Sequence, residues 1–129
     1  INAEDQIFVA DTWNQRVQVL QLDPATNEMS VVRTWDISGW YGQSLDNKPF
    51  IDVDNQGHVF ITDPEGYRVL EFTEEGEFVR GWGDYSPSTD GFGLASGVVC
   101  DGEGGVWVSD GANNVLLHFT LPADTTISD

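Results

Sequence analysis

Three aspartates, Asp11, Asp63 and Asp110, each end a short stretch rich in apolar residues: Ile7-Phe8-Val9-Ala10, Val59-Phe60-Ile61-Thr62 and Val106-Trp107-Val108-Ser109. A carboxylate in such a place can serve as an acid, a base or a metal ligand. It can equally accept the backbone N–H groups of the turn that follows it. Arg16 and Arg68 follow their aspartates by five residues, within reach of a carboxylate. The recurrence favours a loop clamp repeated along the chain over a ring of catalytic acids. Asp52-Val53-Asp54-Asn55-Gln56-Gly57 imitates the start of a calcium loop, and Asp63 falls at its twelfth place. Such a loop needs oxygens converging on one point and flanking helices, whereas these residues run through strand-like sequence in which alternate side chains diverge. The two histidines, His58 and His118, have no metal-ligand spacing, and no G-x-S-x-G stretch marks a nucleophile. Cys100 is the only cysteine, which leaves no disulfide framework, and a lone cysteine in an apolar run is usually a small buried hydrophobe. No catalytic residue, metal ligand or cofactor is assigned.

The elements that carry these aspartates repeat. Residues 51–63 align without a gap on residues 98–110 at an offset of 47, and Trp35 then falls under Trp82 and Phe72 under Phe119. Residues 1–20 align on 53–72 at an offset of 52, with the five extra residues in the turn-rich stretch Asp23-Pro24-Ala25-Thr26-Asn27-Glu28. The best-defined unit reads as four strands, Phe50 to Asp54, His58 to Thr62, Tyr67 to Phe72 and Phe78 to Trp82, separated by turn signals about every ten residues. No segment carries a helical apolar period, so the expected class is all-β with almost no helix. Four short antiparallel strands repeating every 40–50 residues is the pattern of a propeller blade. The units are expected at about 1–35, 49–83 and 96–120, with a tail at 121–129. Trp35, Trp82 and Trp107 are expected in packing between units.

Asp11-Thr12-Trp13-Asn14-Gln15-Arg16-Val17 fits a D-x-x-N-x-R-hydrophobic pattern, and Phe78-Val79-Arg80-Gly81-Trp82-Gly83 with Gly91-Phe92-Gly93 fits a closing strand and linker. In these residues the chain resembles the NHL-repeat family of β-propellers, over nearly its whole length. It departs at Gly66, where the pattern has Asn, and at Val115, where it has Arg. The resemblance implies a six-bladed ring in most relatives and no single activity. On this reading the chain is a propeller fragment, because its first unit lacks a start and its third lacks a closing strand. Blades need neighbours to bury both faces. The expected partners are therefore the remaining blades of a parent protein or a second copy of the chain.

With five Lys and Arg against 22 Asp and Glu, the net charge of −17 disfavours nucleic acid and anionic lipid. The acidity suits a soluble surface in a salty habitat, the alternative being recruitment of calcium or a basic partner. No run of eighteen apolar residues is present, so insertion into a membrane by this segment is not expected. The turns after each second strand and the linkers between units are expected to share one face. They carry Trp13, Asn14, Tyr67, Asn113 and Asn114 in the turns and Trp40, Tyr41, Tyr85 and Phe92 in the linkers. Aromatic rings beside amide and carboxylate groups stack on sugars or grip peptide side chains. Trp40 and Phe92 have an alternative role as plugs between units. The expected function is non-catalytic binding or scaffolding of a protein or glycan, in an extracytoplasmic, bacterial setting. The alternative is a fragment of a metal-dependent propeller enzyme of lyase, hydrolase or lactonase type whose ligands lie mostly elsewhere.

Overall fold

The computed structural model describes residues 1–40 and 47–122. Ten strands form three separate antiparallel sheets. The first holds β1 (Gln6–Asp11), β2 (Arg16–Asp23) and β3 (Glu28–Asp36). The second holds β4 (Ile51–Val53), β5 (His58–Asp63), β6 (Arg68–Thr73) and β7 (Phe78–Trp82). The third holds β8 (Ala95–Cys100), β9 (Gly105–Asp110) and β10 (Val115–Thr120). The molecule is thus all-β, and the one helical turn among the described residues is the 3₁₀ turn Thr12–Asn14.

The repeat seen in the sequence is carried into the backbone. Asp11 pairs with Arg16, Asp63 with Arg68 and Asp110 with Val115, at the mouth of the same hairpin in each sheet. The residue before each returning strand, Gln15, Tyr67 or Asn114, takes a left-handed φ of 57°, 55° or 56°. The third strand of the middle unit therefore begins at Arg68, one residue later than the expected Tyr67, because a left-handed residue cannot continue a pleat. A register irregularity follows Val19 in the first sheet and Glu71 in the second, which are equivalent positions. The five extra residues of the first unit lengthen the β2–β3 hairpin, which closes through a turn where the Ala25 N–H bonds Asp23 Oδ1 at 2.9 Å.

Side chains alternate across each strand, so each sheet has two faces, and the sheets stack in chain order. Phe8, Val17 and Val19 of the first sheet pack into a core with Val59, Ile61, Leu70 and Phe72 of the second. Phe60 and Val69, on the opposite face of the second sheet, form another core with Phe92, Ala95, Val106 and Val108. Trp35 joins the first core, its ring 5.9 Å from Phe72, and Trp82 joins the second, 5.5 Å from Phe119. Trp107 departs from the expectation of burial. It occupies the position of Phe60 and Phe8, yet it is 39% exposed where Phe60 is 2% exposed, because among the described residues no sheet covers that face of the third sheet.

Candidate functional site

The β1–β2, β5–β6 and β9–β10 turns and the linkers between sheets gather at one end of the stack. Backbone bonds tie them together: Ile37 N–H to Gln15 O at 2.8 Å, and Gly111 N–H to Leu94 O at 3.0 Å. The three aspartates organise this end, each in its own way. In the first sheet Asp11 accepts Nε of Arg16 at 2.8 Å and Nδ2 of Asn14 at 3.0 Å. The Arg16 bond, helped by Asn14, holds its carboxyl below its ordinary value against the opposing effect of burial. In the second sheet Asp63 accepts Nε of Arg68 at 2.8 Å and the Gly66 N–H at 3.2 Å, while Arg68 Nη2 reaches the linker at Ser38 O, 2.9 Å away.

In the third sheet no arginine is present. Asp110 instead accepts the N–H groups of Gly93 (2.8 Å), Leu94 (2.9 Å), Asn113 (3.1 Å) and Ala112 (3.2 Å), and Nδ2 of Asn113 at 2.8 Å. Burial works to raise its pKa. The bonds from Gly93, Leu94 and Asn113 outweigh that and hold it below the ordinary value. This explains the first departure from the repeat pattern: Val115 can stand where Arg stands elsewhere because the preceding linker supplies the donors. The second departure is Gly66. As the chain is placed, a Cβ there would collide with the Asp63 carboxylate and lie 3.1 Å from Arg68 Nε, and the Gly66 N–H reaches Asp63 where Asn14 uses its side-chain amide on Asp11.

Of the residues expected on the binding face, Trp13 is the most open, 74% exposed on its 3₁₀ turn. Tyr67 and Tyr85, from a turn and the following linker, meet edge to face with centroids 5.2 Å apart, and both rings are exposed. Asn14 and Asn113 spend their amides within the loops; Asn113 Nδ2 also reaches Ser86 O at 2.8 Å. Asn114 takes the left-handed turn position. Trp40 corrects the expectation of a contact residue: it is 1% exposed, sits in the first core and donates Nε1 to Thr62 O at 3.2 Å. Its size and indole N–H suit it to plugging the gap where the linker crosses between sheets. Phe92 plugs the second core in the same way. Tyr41 lies outside the described residues. Beside the clamps, Asn47, Lys48, Phe50, Pro64, Leu94 and Ser96 line a small pocket of about 120 Å³.

The calcium-like stretch forms a hairpin turn. Asp54 Oδ1 accepts the N–H groups of Gln56 (2.8 Å) and His58 (2.9 Å), whereas Asp52 Oδ2 points to the next sheet and accepts the Cys100 N–H at 2.7 Å. The two carboxylates are thus engaged by N–H groups of different segments. Cys100 is half-buried; burial, with the Asp52, Asp54 and Asp101 carboxylates, pushes its thiol far up, so it stays protonated and unreactive at neutral pH.

Sequence reasoning missed two arrangements at the opposite end. His58 Nδ1 lies 2.7 Å from Asp54 Oδ2 and its Nε2 3.6 Å from Glu71 Oε1, while Arg80 Nε lies 2.6 Å from Glu71 Oε2 and Arg80 Nη2 donates to Pro122 O at 3.0 Å. This chain of contacts lines a pocket of about 70 Å³ between the second and third sheets. Glu71, a charge inside the apolar run Val69-Leu70-Glu71-Phe72, was its signal in the sequence. On the open face of the third sheet, His118 Nε2 lies 2.7 Å from Asp101 Oδ2 and its ring lies 4.4 Å from Trp107. The His118 bond, with N–H groups of Glu103 and Gly105, brings the Asp101 pKa down to about 2.

No family model matches the chain, and no curated protein matches it.

Proposed function

We propose that the chain is part of an NHL-type β-propeller that binds a protein or glycan through the turn-and-linker end of its sheets, without catalysing a reaction. Three sheets of equal hairpin geometry, stacked face to face in chain order, support the propeller reading. One observation carries the binding reading: Trp13 and Tyr67 stand exposed on turns held by Asp11 and Asp63, and Tyr85 of the next linker stands exposed against Tyr67. Aromatic rings on pre-ordered loops bind with little loss of conformational entropy. The aspartates are engaged by arginine and backbone donors, so their carboxylates act in holding loops. The acidic surface, with Arg16, Arg68 and Arg80 all bonded within the molecule, favours neutral or basic ligands over nucleic acid.

Glycan-array and peptide-display screening with the chain tests this. Trp13→Ala and Tyr85→Ala are expected to weaken the selected ligand at least about tenfold each, about 1.4 kcal/mol, with unchanged circular dichroism, since both rings are exposed. Unchanged affinity in both variants contradicts this choice of binding end.

A further inference from the structure

Both junctions between sheets follow one rule. The face carrying Phe8 and Val17 in the first sheet, or Phe60 and Val69 in the second, always packs on the next sheet. The opposite face, carrying Val59 and Ile61 in the second sheet or Val106 and Val108 in the third, always packs on the sheet before. Among the described residues, two faces are left uncovered. On the third sheet, Trp107 and Leu116 stand at the positions of Phe60 and Val69, and Leu116 is 62% exposed where Val69 is fully buried. With Val99 they line a groove of about 230 Å³. On the first sheet, Ile7 and Val9 stand at the positions of Val59 and Ile61, and of Val106 and Val108. Val9 is exposed there, and so are Leu22, Met29 and Val31. Met29 pairs directly with Leu22 across the β2–β3 hairpin, so these side chains extend the same apolar face.

The leftover faces are thus the two unlike halves of the junction the chain already makes twice. We propose that the exposed face of the third sheet takes the exposed face of the first sheet of a second copy, and that two copies do this reciprocally, closing a two-fold pair. The inference rests on the stacked-repeat reading above. A head-to-tail contact made once leaves the same two faces bare at the ends of the pair, and a two-fold arrangement covers all four. The centres of the faces are apolar, with the His118–Asp101 pair on one and the Asp11–Arg16 pair at the edge of the other, and each copy carries a net charge of −17, so association strengthens as salt screens the long-range repulsion.

Light scattering on the eluting chain, followed by variants on each face, tests this. The expected mass is that of two 14.2 kDa copies, held more tightly at high salt. Trp107→Glu and Val9→Glu each are expected to elute as folded monomers, with strand dichroism intact because both positions are solvent-exposed. A 1:1 mixture of the two recovers one of the two junctions, since each variant keeps one face the other needs, and is expected to pair more weakly than wild type but more tightly than either variant alone. A wild-type chain that stays monomeric overturns the proposal, as does a mass that climbs without limit with concentration. Val9→Glu pairing with itself as well as wild type does so too, because it would mean like face on like face. A monomer that still binds its ligand through Trp13 and Tyr85 would leave the binding reading intact, so the two can fail separately.

Discussion

Asp110→Ala is expected to lower the unfolding free energy by about 3–5 kcal/mol, since each buried N–H group left without a partner costs about 1–3 kcal/mol. The side chain is 1% exposed, and its removal strands the N–H groups of Gly93 and Leu94 where the linker enters β8. Asp11→Ala, at the equivalent place, is expected to cost less than about 1 kcal/mol, because the Asp11–Arg16 pair is part-exposed and water takes over its bonds. Chemical denaturation of the two variants measures the gap. If the aspartates were equivalent members of a catalytic ring, their replacement would have similar and small effects on stability. The pH dependence has a definite sign. The Asp110 pKa is lower in the folded chain than in the unfolded one, so its contribution is complete above the unfolded value of about 4 and is lost as pH falls through the folded value. Asp110→Ala therefore flattens acid unfolding in that range.

Trp40→Ala is expected to cost a similar amount, about 3–5 kcal/mol, by leaving a cavity in the first core. Trp40→Phe refills most of the space but loses the bond to Thr62 O, and is expected to cost about 1–2 kcal/mol. Both are read by thermal or urea unfolding. A surface role for Trp40 predicts almost no change in either variant. The contrast with Trp13→Ala, which should leave stability within about 0.5 kcal/mol, separates the indole that plugs from the one that is free to bind.

The repeat was legible because it is written in residues with strict backbone demands. The aspartate at the hairpin mouth, the alternating apolar strand and the turn glycines recur at fixed offsets, and they yielded the strand order and the clamps. What was not legible depends on neighbours. Trp40 and Trp13 both sit among polar loop residues, and only the path of the linker over the first core buries one and leaves the other out. Trp107 has the sequence context of a packed residue, and its exposure follows from what lies on the far side of its sheet. The Asp54–His58–Glu71–Arg80 chain draws on three strands and a turn, and Arg80 meets Glu71 only through the β6–β7 register. Gly66 and Val115 looked like losses of pattern; in the structure, the Gly66 N–H bonds Asp63 where Asn14 uses its side chain on Asp11, and Asp110 is served by linker N–H groups instead of an arginine.

The stacking of three sheets in chain order underlies every one of these statements, and methyl nuclear Overhauser contacts test it most directly. Methyls of Val17 and Val19 are expected to see Ile61 and Leu70, and Val69 is expected to see Val106 and Val108, as two separate sets. Contacts joining Val17 to Val106 within one molecule would place the first sheet on the third around a single core, and would contradict the stack.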